Sequence, residues 1–148
     1  MKKSILVYIL FVLIFAMGSS FDNSHINDMI NIKYDLSKVE YTKLLLKDIT
    51  ITSYNNEQNQ TDSTPNITAS NRLVYEGSIA ISRDLKTKYN LKFGDIVYIP
   101  NFKTYYVIED LMNKRFKNSV DIFKFDKNES LKIGKLKYNI IVYRIKRD

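Results

Sequence analysis

Asp110 and Asp121 carry most of the chemistry open to this sequence. Each sits on an apolar, β-prone run: Val107 and Ile108 precede Asp110, while Val120, Ile122 and Phe123 surround Asp121. A polar, hairpin-like loop with Asn113, Arg115 and Asn118 separates the runs. Packed as neighbouring strands, the two runs would bring both carboxyls to adjoining strand ends. A half-buried carboxyl beside a second one is pushed toward its protonated form, which is what a general acid needs. Acidic residues near turns more often only end strands and cap them, and spacing alone does not separate the two roles.

Elimination supports the carboxylates. The chain has no cysteine and one histidine, His25, which lies upstream of the expected domain. A Ser-His-Asp or Cys-His site cannot be built there, nor a His/Cys zinc site. No Gly-rich phosphate loop is present. Neither a metal nor an organic cofactor is implied. Among the other acids, Asp84, Asp95 and Glu109 fall close to strand ends or turns. Asp95 follows Gly94 and reads as a turn residue. Glu109 should face away from Asp110 if the strand is regular. Carboxylates of this kind suit glycosidic cleavage, in which one acid protonates the leaving oxygen and a second often assists. Tyr54, Tyr98, Tyr105, Tyr106 and Phe116 offer ring faces for sugars, or ordinary strand packing.

The elements that must position these groups are mostly short strands. Alternation marks residues 45–54, with Ile49 and Ile51 on one face. Further strands are expected over 78–82, 96–99, 104–108, 120–125 and 138–145. Helical turns are expected over 83–89, with Ser82 as N-cap, and over 128–133, capped by Asn128 and ended at Gly134. A weak helix signal also covers 37–46. Six short strands, tight turns and one or two short helices predict a small closed β-barrel. Residues 55–65 form a long polar loop. Thr64, Thr68 and Ser70 at and after its end can line a polar groove.

Before the expected domain (45–146) lie two other segments. Residues 1–20 read as a secretory signal: Lys2 and Lys3, an apolar run over 5–17, then Gly18, Ser19 and Ser20. An uncleaved N-terminal anchor is the alternative. Residues 21–44 read as a polar linker. The net charge is +7 and falls to +5 without Lys2 and Lys3. A basic exported protein meets anionic wall polymers or headgroups. Its scattered cations and missing reader motif argue against nucleic acid. A monomer is expected, located in the periplasm, cell envelope or outside the cell, with membrane contact only through the N-terminus.

Several segments together resemble a known family: Thr52-Ser53-Tyr54, TPNITAS (64–70), GSIAISRDL (77–85), KFGDIVYI (92–99), YVIEDLMNKRFKNSVDIF (106–123) and IGK (133–135). In this order they resemble the 3D domain, named for three aspartates and related to the C-terminal part of the A-type lytic murein transglycosylase. The resemblance spans about residues 50–145. It implies a double-psi β-barrel acting on peptidoglycan and cleaving between N-acetylmuramic acid and N-acetylglucosamine without water. By the same resemblance Asp121 is the acid/base, Asp110 orients it or raises its pKa, and Asp84 is the third aspartate. Tyr54, Thr64, Thr68, Ser70, Asp84, Asn113 and Arg115 are the expected substrate contacts. One departure stands out: Leu111-Met112-Asn113 replaces the Thr-Gly-Gly that follows the aspartate in the family. A non-catalytic wall-binding or scaffold module on the same barrel is the alternative reading.

Overall fold

The computed structural model describes Leu36, residues 39–55 and residues 66–147. The expected signal segment, His25, most of the expected linker and Thr64 lie outside the described residues. Six strands and two helices follow in order: β1 (Tyr41–Tyr54), β2 (Ser78–Ile81), α1 (Arg83–Lys88), β3 (Ile96–Ile99), β4 (Thr104–Leu111), β5 (Ser119–Phe123), α2 (Lys127–Ile133) and β6 (Leu136–Ile145). The strands close into a barrel in the order β1-β5-β2-β4-β3-β6. The β1–β5 and β2–β4 pairs are parallel and the others antiparallel. Exchanging the first three strands with the last three maps this pairing onto itself. The small closed barrel expected from the alternation pattern is therefore the fold.

Alternation explains the core. Ile49 and Ile51 of β1, Ile79 and Ile81 of β2, Val120 and Ile122 of β5, and Ile140 and Val142 of β6 all point into one buried cluster. Each fully buried aliphatic side chain contributes roughly 1.5–3 kcal/mol. Two irregularities interrupt the alternation. In β1 the pairing with β6 slips between Leu46 and Ile49. Asp48 takes φ 55° there, which lets Leu46 and Ile49 both face inward. Between β2 and β4, Ile79 lies opposite Ile108 but Ala80 lies opposite Asp110, so Glu109 is an extra residue in a bulge.

The structure corrects several expectations. Residues 41–46 are strand, not helix or linker, because β6 supplies a long partner from Ile140 to Ile145. The runs carrying Asp110 and Asp121 do not form a hairpin: β2 lies between β4 and β5 and pairs with both. Ser82 is the N-cap residue of α1, as expected, but its side chain makes no capping bond; its hydroxyl instead accepts the Ser119 N–H at 3.1 Å. The cap of α2 is Asp126, whose carboxylate accepts the Glu129 N–H at 2.9 Å.

Asp95 does more than end a turn. It is fully buried. Its carboxylate accepts the Lys92 N–H at 2.8 Å and the Ile145 N–H at 3.1 Å, and meets Arg147 at 2.9 Å. It thus ties the turn before β3 to the end of β6. Asp95→Ala leaves two backbone donors without this acceptor, and a loss of about 2–4 kcal/mol is expected in urea unfolding. A loss below about 0.5 kcal/mol would show that water replaces the carboxylate.

Candidate active site

Strand register builds the site. Thr52 lies opposite Asp121, Asp121 opposite Ala80, and Ala80 opposite Asp110. These four residues form one row across β1, β5, β2 and β4. Directly paired residues share a face of the sheet, and the neighbours Ile51, Ile79 and Ile122 face the core. The row therefore faces outward. The bulge at Glu109 is decisive here: Ile108 faces inward, and a regular strand would turn Asp110 inward as well. With Glu109 as the extra residue, Asp110 joins Asp121 on the outer face.

A second small apolar cluster on this outer face, Tyr54, Val74, Ala80, Met112 and Phe123, surrounds the row. The Tyr54 ring packs edge-on against Phe123 with centroids 5.4 Å apart. Asp121 is consequently hard to ionise. Burial, together with the more distant charge of Asp110, outweighs the hydrogen bond from Thr52 and pushes Asp121 up to about 6. Burial is the leading cause and the second carboxylate a lesser one. The reason is geometric: the two aspartates stand two strands apart, with strands about 4.8 Å from one another, and Ala80 lies between them.

Each carboxylate has its own donors. The Thr52 hydroxyl donates to Asp121 Oδ1 at 2.7 Å. Asp110 Oδ1 accepts the N–H groups of Ala69 at 2.9 Å and Leu111 at 2.8 Å. The Tyr54 hydroxyl donates to Asp110 Oδ2 at 3.3 Å. Burial and the charges of both aspartates push Tyr54 far above its ordinary value, so it stays a neutral donor. The result is one half-buried acid with a titration point raised to about 6 and, across Ala80 in the same row, a carboxylate held in a fixed orientation.

Thr52→Val removes the hydrogen bond that favours ionised Asp121 while keeping the side chain's shape. The Asp121 midpoint should then rise above about 6. Carboxyl carbon NMR titration reads this directly, and an unchanged midpoint would show that Thr52 does not tune the acid.

Other expected contacts fall elsewhere. The Thr68 and Ser70 hydroxyls bond one another at 2.9 Å. Ser70 donates to Glu109 at 2.6 Å, so the single Thr68 proton goes either to the Ser70 hydroxyl or to the Arg72 carbonyl at 3.1 Å. Both are thus engaged by their own loop and by Glu109 of β4. Asp84, on the first turn of α1, accepts the Asn118 N–H at 3.0 Å. Burial pushes it up, but hydrogen bonds from the Ser82 hydroxyl and nearby backbone N–H groups prevail and hold it below the ordinary range. It anchors the start of β5 rather than joining the row. Asn113 and Arg115 are exposed on the β4–β5 loop, where Asn113 accepts the Arg115 N–H at 3.1 Å and Arg115 lies over Phe116. Tyr106 belongs to the core. Tyr98 and Tyr105 stack on each other, 4.5 Å between centroids, across β3 and β4. Of the expected site residues, the structure brings together Asp121, Asp110 and Tyr54.

Two participants have no expected role in the sequence reading. Thr52 was within reach, since it precedes Tyr54 by two positions and must share its face. Glu109 was not, because nothing in the local pattern announces a bulge. No group of residues suited to hold a metal occurs among the described residues. No protein-family model matches the chain, and no curated protein matches it.

Proposed function

We propose that the protein is an exported, peptidoglycan-active enzyme of the lytic transglycosylase kind, with Asp121 as its acid/base. The observation that supports this most is the outward-facing Asp121, half-buried on the face that carries the Tyr54 and Phe123 cluster, hydrogen-bonded to Thr52 and in line with Asp110. Export rests on the pattern of residues 1–20, and the wall substrate on the resemblance to the 3D domain. In the reaction, protonated Asp121 gives its proton to the oxygen linking muramic acid to glucosamine, and the C1–O bond breaks. The muramic 6-hydroxyl closes on C1, and the Asp121 carboxylate takes up its proton. The products are a free 4-hydroxyl and a 1,6-anhydro sugar; no water is consumed, and the acid is restored. Asp110, held by Ala69, Leu111 and Tyr54, remains an oriented negative charge beside the developing oxocarbenium ion.

Purified protein incubated with peptidoglycan sacculi should release anhydro-muropeptides detectable by mass spectrometry. Release should decline as pH rises through about 6, where Asp121 loses its proton. A second reading, a wall-binding module without catalysis, is favoured by Met112, which is buried in the outer cluster where the family has small residues. Firm binding to sacculi without release, unchanged by Asp121→Asn, would establish the module instead.

A further inference from the structure

Residues 66–74 form a small hairpin next to Asp110. Thr68 donates its N–H to the Arg72 carbonyl at 2.8 Å, Val74 to that of Asn66 at 3.1 Å, and Ile67 faces Leu73 across a single bridge. The turn places Asn71 at φ 62°. Apolar burial does little to seat this hairpin, since Ile67 is 46% exposed and Leu73 69%; Val74 alone enters the outer cluster.

The polar anchoring is concentrated on one group. Glu109 is 0% exposed. Its carboxylate accepts Ser70 Oγ at 2.6 Å, Arg72 Nη1 at 2.8 Å and the Tyr75 hydroxyl at 3.3 Å. Its carbonyl accepts the Ser70 N–H at 3.0 Å. Every one of these donors lies on or directly after the hairpin. Burying a carboxylate is costly unless such donors surround it, so the clamp and the buried charge require one another. The adjacent residue, Asp110, receives the Ala69 N–H from the same hairpin.

We propose that Glu109 is the positioning residue of the acid pair. By clamping Ser70, Arg72 and Tyr75, it holds the Ala69 N–H on Asp110 Oδ1 and so keeps Oδ2 on the Tyr54 hydroxyl, in the row with Asp121. Glu109 does not reach the outer row and does not touch substrate; it acts through the hairpin. The consequence for turnover rests on the reading of Asp121 as acid, whereas the positioning itself does not.

Glu109→Gln keeps the shape and weakens the clamp, and Arg72→Met removes its charged donor from a side chain already 52% exposed. In the full chain, amide hydrogen exchange, Asp121 carboxyl NMR titration and turnover on glycan strands are compared with the parent. Exchange at Ala69 should quicken by ~10-fold or more while barrel amides stay within about twofold. The Asp121 midpoint should fall, because Asp110 swings its charge toward solvent. Turnover should lose ~10–100-fold in kcat with KM within about twofold. Unchanged Ala69 exchange and an unchanged Asp121 midpoint in folded variants would overturn the proposal. So would barrel amides that exchange faster in step with Ala69, the mark of general loosening. Should Glu109→Gln fail to fold, Arg72→Met decides by the same readouts. If Asp121→Asn leaves glycan cleavage intact, the enzyme reading falls, while the exchange and titration results still judge the clamp.

Discussion

Asp121→Asn should reduce the release of anhydro-muropeptides by on the order of 100- to 10,000-fold, the usual contribution of a general acid. Asparagine has nearly the same shape and can still accept the Thr52 hydroxyl in place of Oδ1. What it lacks is a proton to give the glycosidic oxygen and a carboxylate to take the 6-hydroxyl proton. Binding to sacculi should change little, because the outer apolar cluster around Tyr54 and Phe123 is untouched. Mass spectrometry of soluble products, with bound protein measured in parallel, separates the two effects. Release within about threefold of the parent would remove Asp121 from the chemistry.

The same substitution should strengthen the fold at alkaline pH. Asp121 titrates near 6 in the folded chain against 3.8 ordinarily. A folded-state pKa above the unfolded one means that the native state binds the proton more tightly. Its favourable contribution is complete below about 3.8 and is lost as pH rises through about 6. Above that range the native state carries a half-buried ionised carboxylate that the unfolded chain would solvate freely. A shift of this size corresponds to about 3 kcal/mol. The side chain keeps some contact with solvent, so an effect of about 2 kcal/mol is the better expectation. The asparagine side chain has no proton to bind, so Asp121→Asn should gain stability relative to the parent between about pH 4 and about pH 8. Urea unfolding at the two pH values measures it; equal differences at both would mean that burial does not control this acid. Stability gained by losing a desolvated carboxyl is the trade expected of a site kept for function.

Much of this was legible in the chain. The alternating runs around Ile49, Ile79, Ile96, Tyr106, Ile122 and Ile140 reveal six strands, because a half-buried strand must send every second side chain inward. The lack of His and Cys in the domain leaves carboxylates as the natural reactive groups, and Asp110 and Asp121 are the two whose apolar neighbours place them on strands. The supporting contacts were harder to read. Thr68 and Ser70 look like groove residues by composition, yet their hydroxyls turn to each other and to Glu109.

By itself, the sequence determined that six strands exist and where they lie, apart from the first half of β1, together with the side chains available for chemistry; the choice of Asp121 over Asp110 as the acid is implied only by the resemblance to the 3D domain. Tertiary structure alone decided that β2 separates β4 from β5, that Glu109 occupies a bulge, and that Asp110 consequently faces outward in the same row as Asp121. The physical reason is that alternation records which face a residue takes within its own strand. It carries no information about which strand lies next to it, and a single bulged residue reverses the face of everything that follows.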